Sequence, residues 1–215
     1  MKLGIFDSGI GGEAIASALR VTFPDADIQT VNDSANLPYG DKTKSMVCKL
    51  TDAALQPLLK SDCDIIILAC NTATALAINY LREKYPNQKF IGIEPMVKTA
   101  AKITRSRIIT VCATPATLKS ERYKKLVEKF GNRITIIEPD CSKWAQMIED
   151  NQINERAITK IVDDECNTGT DVIVLGCTHY HWIKDLIIKI AAGRAEVIEP
   201  SEAIGRRVKK LLNLR

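Results

Sequence analysis

The sequence predicts an α/β protein built on mainly parallel sheets, and three observations predict it. Short β-branched runs recur along nearly the whole chain. Amphipathic stretches of helical period separate them. The runs are apolar throughout instead of alternating apolar with polar. Strands that alternate with helices imply βαβ units, and strands apolar on both sides imply a sheet covered by helices on both faces.

The strand candidates are 3–6, 28–31, 65–68, 90–93, 108–111, 134–137, 172–175 and 197–198. Between the first two, residues 13–23 place Ile15, Leu19 and Phe23 on one helical face. Residues 118–130 do the same with Leu118, Leu126, Val127 and Phe130, and read as one helix. A third helical pattern covers 45–59, where Pro57 should kink or split it.

A chain of 215 residues is long enough for one large α/β domain or two small ones. Hydrophobic residues make up 46% and charged residues 26%, ordinary values for a soluble globular protein. The formal charge of +4 is spread along the chain. Its densest basic stretch, Arg206-Arg207-Val208-Lys209-Lys210, reads as a solvated helix face, so no nucleic-acid partner is expected. No apolar segment is long enough to span a membrane. The N-terminus runs straight into a strand pattern, without a signal peptide's apolar stretch and cleavage site, so a cytoplasmic protein is expected. Such a compartment keeps thiols reduced. The seven cysteines are widely spaced, with no C-x-x-C pair for a metal knuckle, and most should be small buried hydrophobes.

Two cysteines stand apart. Asp64-Ile65-Ile66-Ile67-Leu68-Ala69-Cys70-Asn71-Thr72 is echoed by Asp171-Val172-Ile173-Val174-Leu175-Gly176-Cys177-Thr178-His179. Each is an Asp, a buried strand, a small residue, a Cys, and polar residues that open a helix. In open α/β sheets ligands bind beyond the carboxyl ends of the strands, where both thiols fall. A helix N-terminus should favour the thiolate of Cys70 through its free N–H groups and dipole. Cys177 should repeat that geometry, with His179 two residues on to move a proton. The chain's two histidines, His179 and His181, both fall here.

Further motifs surround these. Phe6-Asp7-Ser8-Gly9-Ile10-Gly11-Gly12 follows the first strand; it matches neither a dinucleotide nor a P-loop fingerprint, and alone it could be a plain Gly-rich turn. Leu37-Pro38-Tyr39-Gly40, after Asn32-Asp33-Ser34, is by itself a turn signal. Thr114-Pro115-Ala116-Thr117 offers hydroxyls that cap a helix or hold a carboxylate.

Taken together, these motifs resemble the bacterial glutamate racemases of the aspartate/glutamate racemase superfamily, in order and approximate spacing from residue 3 to about 207. The histidine in Gly176-Cys177-Thr178-His179 favours glutamate, since the aspartate enzymes usually carry an acidic residue there. The resemblance implies two pseudo-symmetric α/β domains, 1–95 plus 195–215 and 96–194, with the active site in the cleft between them and the C-terminal helix returning to the first. It implies no cofactor and no metal, a small-molecule amino acid, glutamate, as partner, and supply of D-glutamate for peptidoglycan; it allows a homodimer. Cys70 and Cys177 match the two acid/base thiols, Asp7 and His179 the groups that assist them. Ser8, Tyr39, Gly40, Asn71, Thr72, Thr114, Thr117 and Thr178, with Asp7 and His179, match positions that hold the amino acid. Glu149, counted from Cys141, matches an assisting glutamate.

The chain departs from that pattern in places. Cys141-Ser142-Lys143-Trp144 stands for a Cys-Pro followed by apolar residues. Asn32 and Ala113 replace glycines, Asn36 an arginine, and His181-Trp182 a Pro-Leu pair. The alternatives are an aspartate or broader-specificity racemase, and a non-catalytic amino-acid-binding or regulatory protein; the intact Cys70, Cys177, Asp7 and His179 argue against the second.

The chemistry suits the residues. Racemisation removes a weakly acidic α-hydrogen and returns a proton to the opposite face, which two bases on opposite walls do without either swinging around the substrate. An ordinary thiol is only roughly 3% thiolate at neutral pH, so depressing one pKa to near 7 gains about tenfold. Positioning and carbanion stabilisation must supply the rest.

Overall fold

The computed structural model describes residues 1–214 and divides the chain into two compact units, 1–94 with the segment from 200 onward, and 95–199. In the first, β1 (Lys2–Asp7), α1 (Gly12–Thr22) and β2 (Asp27–Asn32) are followed by α2 (Lys44–Ala54), α3 (Gln56–Lys60), β3 (Ile65–Leu68), α4 (Asn71–Lys84) and β4 (Phe90–Gly92). In the second, α5 (Val97–Ile103) and β5 (Ile108–Ala113) precede α6 (Pro115–Lys119), α7 (Glu121–Phe130), β6 (Thr135–Ile137), α8 (Trp144–Glu149) and α9 (Glu155–Asn167). Then come β7 (Val172–Gly176), α10 (Lys184–Ala191) and β8 (Glu196–Ile198), before α11 (Ser201–Leu211) adds to the first unit.

Each unit holds one four-stranded sheet, ordered β2-β1-β3-β4 and β6-β5-β7-β8, with every pairing parallel. The protein is therefore α/β with two wholly parallel sheets of the same strand order. In the first unit Leu3, Ile5, Ile65 and Ile67 pack against Ile15 and Leu19 of α1 and Ile204 and Val208 of α11. Phe6, Ile66 and Leu68 face the other way, onto Val47, Leu58, Ala77 and Leu81 of α2 to α4. The second sheet is covered on one face by α5 and α7 and on the other by α8, α9 and α10.

The central strands are as apolar and buried as the sequence predicts: β3 is buried at every position, and β7 likewise. Three of the four edge strands are not: β2, β6 and β8, each with a neighbour on one side only, are half-exposed, whereas the edge strand β4 is mostly buried.

Of two helical expectations, one needs correction and one is met. Residues 118–130 do not form one helix. Ser120 adopts an extended conformation, φ −69° and ψ 144°. Its Oγ accepts from Tyr123 N at 3.1 Å and donates to Thr117 O at 2.7 Å, so it caps α7 and closes α6 together. A serine offering the backbone both bonds competes with continuation of the helix. The 45–59 pattern splits as Pro57 predicts, but two residues earlier, at Leu55; the proline then sits in the first turn of α3, where its missing N–H costs nothing. Among the described residues no helix is long and apolar enough to cross a membrane.

Candidate active site

The shared strand order places the chemistry. In each sheet the connection from the first central strand leaves to one side and that from the second leaves to the other. Adjacent strand tips at such a reversal form a crevice. In the first unit those tips carry Asp7-Ser8 after β1 and Cys70 after β3. In the second they carry Thr114 after β5 and Cys177 after β7.

The Cys70 half-site is built on the start of α4. Cys70 is the N-cap, and its Sγ accepts from Ala73 N at 3.4 Å. Ser8 Oγ lies 3.3 Å from the same sulfur. Asp7 is buried at the end of β1 and accepts from Gly9 N at 3.0 Å. Gly12 allows that packing: a Cβ there would lie 2.8 Å from Asp7 Cβ. The helix N-terminus does not win the thiol's proton balance, contrary to the expectation from sequence. Burial, and then the charge of Asp7, push the Cys70 thiol up to about 11 against the Ser8 and Ala73 bonds. Asn71 and Thr72 are buried beside it, and Asn71 Oδ1 has no hydrogen-bond partner.

Tyr39 is 2% exposed in a 3-10 turn, Tyr39–Asp41, with Gly40 half-buried beside it. Its OH donates to Asp33 at 2.7 Å, and burial together with Asp33 holds the phenol far above its ordinary range. In sequence Asp33 reads only as part of a turn. Its second oxygen accepts from Asn36 Nδ2 at 2.8 Å, so the carboxylate ties the Tyr39 loop to the tip of β2. An aspartate six residues before a buried tyrosine was the available signal.

The Cys177 half-site differs in its local structure. Cys177 does not open an α-helix. It precedes a six-residue 3-10 turn, Thr178–Ile183, and α10 begins only at Lys184. The β-branched and aromatic run Thr178-His179-Tyr180-His181-Trp182-Ile183 loses side-chain freedom in an α-helix, which accounts for the difference. The turn puts His179 Nδ1 at 3.7 Å from Cys177 Sγ, and His179 Nε2 at 2.5 Å from Glu149 Oε1 at the end of α8. A carboxylate only accepts, so the ring's Nε2 carries a hydrogen, and Nδ1 faces the sulfur, where it can exchange a proton with Cys177. Thr178 is buried alongside. Thr114 Oγ1 donates to Thr117 Oγ1 at 3.0 Å and accepts from Thr117 N at 3.3 Å, so these two hydroxyls cap α6.

Gly176, immediately before Cys177, is required by its neighbours. A Cβ there would lie 2.9 Å from Ala113 Cβ and 3.1 Å from Cys112 O. Behind Cys177 lie two further buried thiols. Cys141 is pushed far up by its bond to Cys112, by burial and by the proximity of Cys177. Tyr180 OH donates to Cys141 O at 2.8 Å, which fixes the segment leading into α8 and hence Glu149. His181 has a side chain 6% exposed and lies 3.9 Å from Glu199; burial pulls it down to about 4, so it is neutral.

The sequence-predicted residues thus form two clusters. Asp7, Ser8, Cys70, Asn71 and Thr72 gather in the first unit, with Tyr39 and Gly40 on an adjoining loop. Cys177, Thr178, His179 and Glu149 gather in the second, with Thr114 and Thr117 at the neighbouring strand tip.

Comparison with known proteins follows the same lines. The family model for Asp/Glu/Hydantoin racemase matches residues 13–204. The chain belongs to the Asp/Glu/hydantoin racemase family. Its relatives in that family include the glutamate racemase of Ectopseudomonas mendocina, 34% identical over 98% of this chain and 81% of the relative. The glutamate racemase of Clostridium botulinum is 37% identical over 98% and 86%. Among solved structures, Escherichia coli glutamate racemase in complex with L-glutamate and the activator UDP-MurNAc-Ala matches with a TM-score of 0.90. That match has 25% identity and covers 99% of this chain and 82% of that one. The Francisella tularensis enzyme in complex with D-glutamate gives 0.80 at 29% identity, covering 99% and 81%.

Proposed function

We propose that this racemase interconverts L- and D-glutamate without a cofactor, using Cys70 and Cys177 as two bases on opposite faces of the α-carbon. One observation carries the reading. Two thiols follow equivalent strands of two sheets with the same order, each buried and each provided with its own ionisable neighbour, Asp7 or the His179–Glu149 pair. The curated relatives act on glutamate by name, which supports that substrate for this chain.

In each direction one cysteine starts as thiolate and takes the α-hydrogen as a proton, leaving a carbanion on the substrate. The opposite thiol gives its proton to the other face. The sulfurs exchange protonation states and the amino acid leaves inverted. Ser8 and Asp7 attend Cys70, and His179, oriented by Glu149, attends Cys177. Asn71 Oδ1, an acceptor with no partner, suits an ammonium donor, and the hydroxyls of Thr72, Thr114, Thr117 and Thr178 suit a carboxylate. Tyr39 and Gly40 complete the binding set. This activity supplies D-glutamate for peptidoglycan in the cytoplasm, and the family resemblance allows a homodimer.

The test is to incubate the protein with L-glutamate, and separately L-aspartate, in deuterated water without added cofactor, following α-proton exchange and D-isomer formation. Exchange and inversion on glutamate are expected, and their loss in both Cys70→Ala and Cys177→Ala. Parent-rate racemisation by Cys177→Ala would refute the two-base mechanism, and exchange on neither substrate the racemase reading.

A further inference from the structure

The two half-sites share a strand order and differ in what surrounds the sulfur. The difference concerns which sulfur holds the negative charge before any substrate arrives.

Around Cys70 the ionisable groups come from three places. Asp7 stands at the end of β1, Tyr39 on its 3-10 turn, and Asp33 behind Tyr39. The nearest charge is negative, the phenol is held neutral, and among the described residues no cation stands among the main influences on the thiol. Ser8, through its Oγ and its amide, and the Ala73 amide are polar contacts of the sulfur, all neutral. A second negative charge on Cys70 is therefore opposed by the first.

Around Cys177 the arrangement reverses. The turn after it supplies His179, 3.7 Å away, and α8 supplies Glu149, 2.5 Å from the far nitrogen of that ring. A thiol proton passed to Nδ1 produces an imidazolium held between a thiolate and a carboxylate, each opposite in charge to the ring. The other nearby groups do not compete for the negative charge. Cys141 is kept protonated by its bond to Cys112 and by burial, Tyr180 is raised far above its ordinary range, and His181 is neutral. Asp140, on the loop before α8, adds negative charge that acts on Cys141 and Tyr180 and helps keep both protonated.

We propose that in the free enzyme Cys177 is the thiolate, paired with a protonated His179, while Cys70 rests as the thiol. The inference builds on the two-thiol reading above. It makes the enzyme's ground state chemically one-sided: the enantiomer whose α-hydrogen faces Cys177 reacts from the resting form directly. The other enantiomer needs a proton moved from Cys70 to the Cys177 side first.

Alkylation reads this out. Both sulfur-bearing residues are 6% exposed, so burial alone does not favour either. The full chain, free of amino acid, is treated with sub-stoichiometric iodoacetamide and each cysteine's labelling rate is followed by peptide mass spectrometry from pH 6 to 10. With Cys70 raised to about 11, its thiolate at pH 7 is about 300-fold scarcer than an ordinary cysteine's, partly offset by roughly 15-fold higher nucleophilicity. Cys177 should therefore label at least about 20-fold faster at pH 7, with a rate that flattens toward neutrality while that of Cys70 climbs through pH 10. In His179→Asn the Cys177 rate at pH 7 should fall at least about fivefold and its plateau move to higher pH, with Cys70 unchanged. Equal rates, or Cys70 first, overturn the proposal. Racemisation by Cys70→Ala and Cys177→Ala, measured separately, tests the two-base reading; loss of activity in both with equal labelling in the parent would leave that reading standing and this one refuted.

Discussion

Replacing Glu149 by glutamine isolates the charge behind His179. Glutamine keeps the length and an oxygen acceptor for Nε2–H, so the ring should stay where it is and only the negative charge is lost. The bond is 2.5 Å long, and the Glu149 side chain is 13% exposed, so solvent screens it little. A charge-assisted bond of this kind is worth about 1.5–3 kcal/mol, which corresponds to roughly 10- to 150-fold in rate. L- and D-glutamate have equal free energies in water. The Haldane relation therefore forces kcat/KM to fall by the same factor in both directions, although kcat and KM can divide the loss differently. The measurement is initial-rate racemisation followed by circular dichroism from each enantiomer, with the pH profile of kcat/KM. Rates within twofold of the parent, in both directions and across pH, would refute the argument that the carboxylate stabilises the ring's proton.

Three other perturbations test the surroundings. In Gly176→Ala, a methyl 2.9 Å from Ala113 Cβ and 3.1 Å from backbone should cost about 1–3 kcal/mol of stability and displace Cys177; chemical denaturation with activity checks both, and a parent-like variant would contradict the close packing of those strand tips. Gly12→Ala should push Asp7, whose Cβ is 2.8 Å from the added atom, lowering kcat at least tenfold while thermal unfolding shows a folded chain; unchanged kcat would mean Asp7 is dispensable. His181 is held near 4 by burial, below its ordinary 6.5. Its folded pKa is depressed, so the stability it contributes is complete above 6.5 and is lost as pH falls toward 4, when the unfolded chain takes up a proton and the folded one does not. Urea unfolding should weaken by on the order of 2 kcal/mol between pH 6.5 and 5; His181→Gln should flatten that slope, and an unchanged slope would exclude His181 as its source.

Most of the fold was legible because parallel strands buried on both faces announce themselves as short apolar runs, and all eight strand candidates fall on strands. The misses have local causes. Ser120 looked like an interior helix position until its hydroxyl was seen bonding both Thr117 O and Tyr123 N. Cys177 looked like Cys70 in sequence, yet the run after it takes a 3-10 turn, and that turn aims His179 at the sulfur. Glu149 was reached only by counting from Cys141 within the resemblance. Nothing local marks it, because its position depends on α8 being fixed by the Tyr180–Cys141 bond across 39 residues. The raised thiol of Cys70 was illegible for a related reason: a helix N-terminus is visible in sequence, whereas the burial that outweighs it is not.

The difference between the half-sites follows from what a racemase must do. Its substrate and product are mirror images, so equilibrium demands equal kcat/KM in the two directions but places no demand that the two bases be alike. Each base serves as donor in one direction and acceptor in the other. What matters is that the free-energy gap between the two protonation states of the enzyme stays small enough for both to be reached. On the two-thiol proposal, a carboxylate beside one thiol and an imidazole–carboxylate pair beside the other set that gap from opposite sides: Asp7 discourages charge on Cys70, and His179 would accommodate it on Cys177. If both variants, Glu149→Gln and Gly12→Ala, slow the reaction singly, the double variant should lose more than the product of the two losses, because a population held mainly on Cys177 absorbs part of either shift alone. Each single change shifts the same protonation equilibrium, one by raising Cys177's side and the other by relieving Cys70's. Strict multiplicativity in that cycle would mean that the two clusters act on separate steps, and the shared-equilibrium argument would fail.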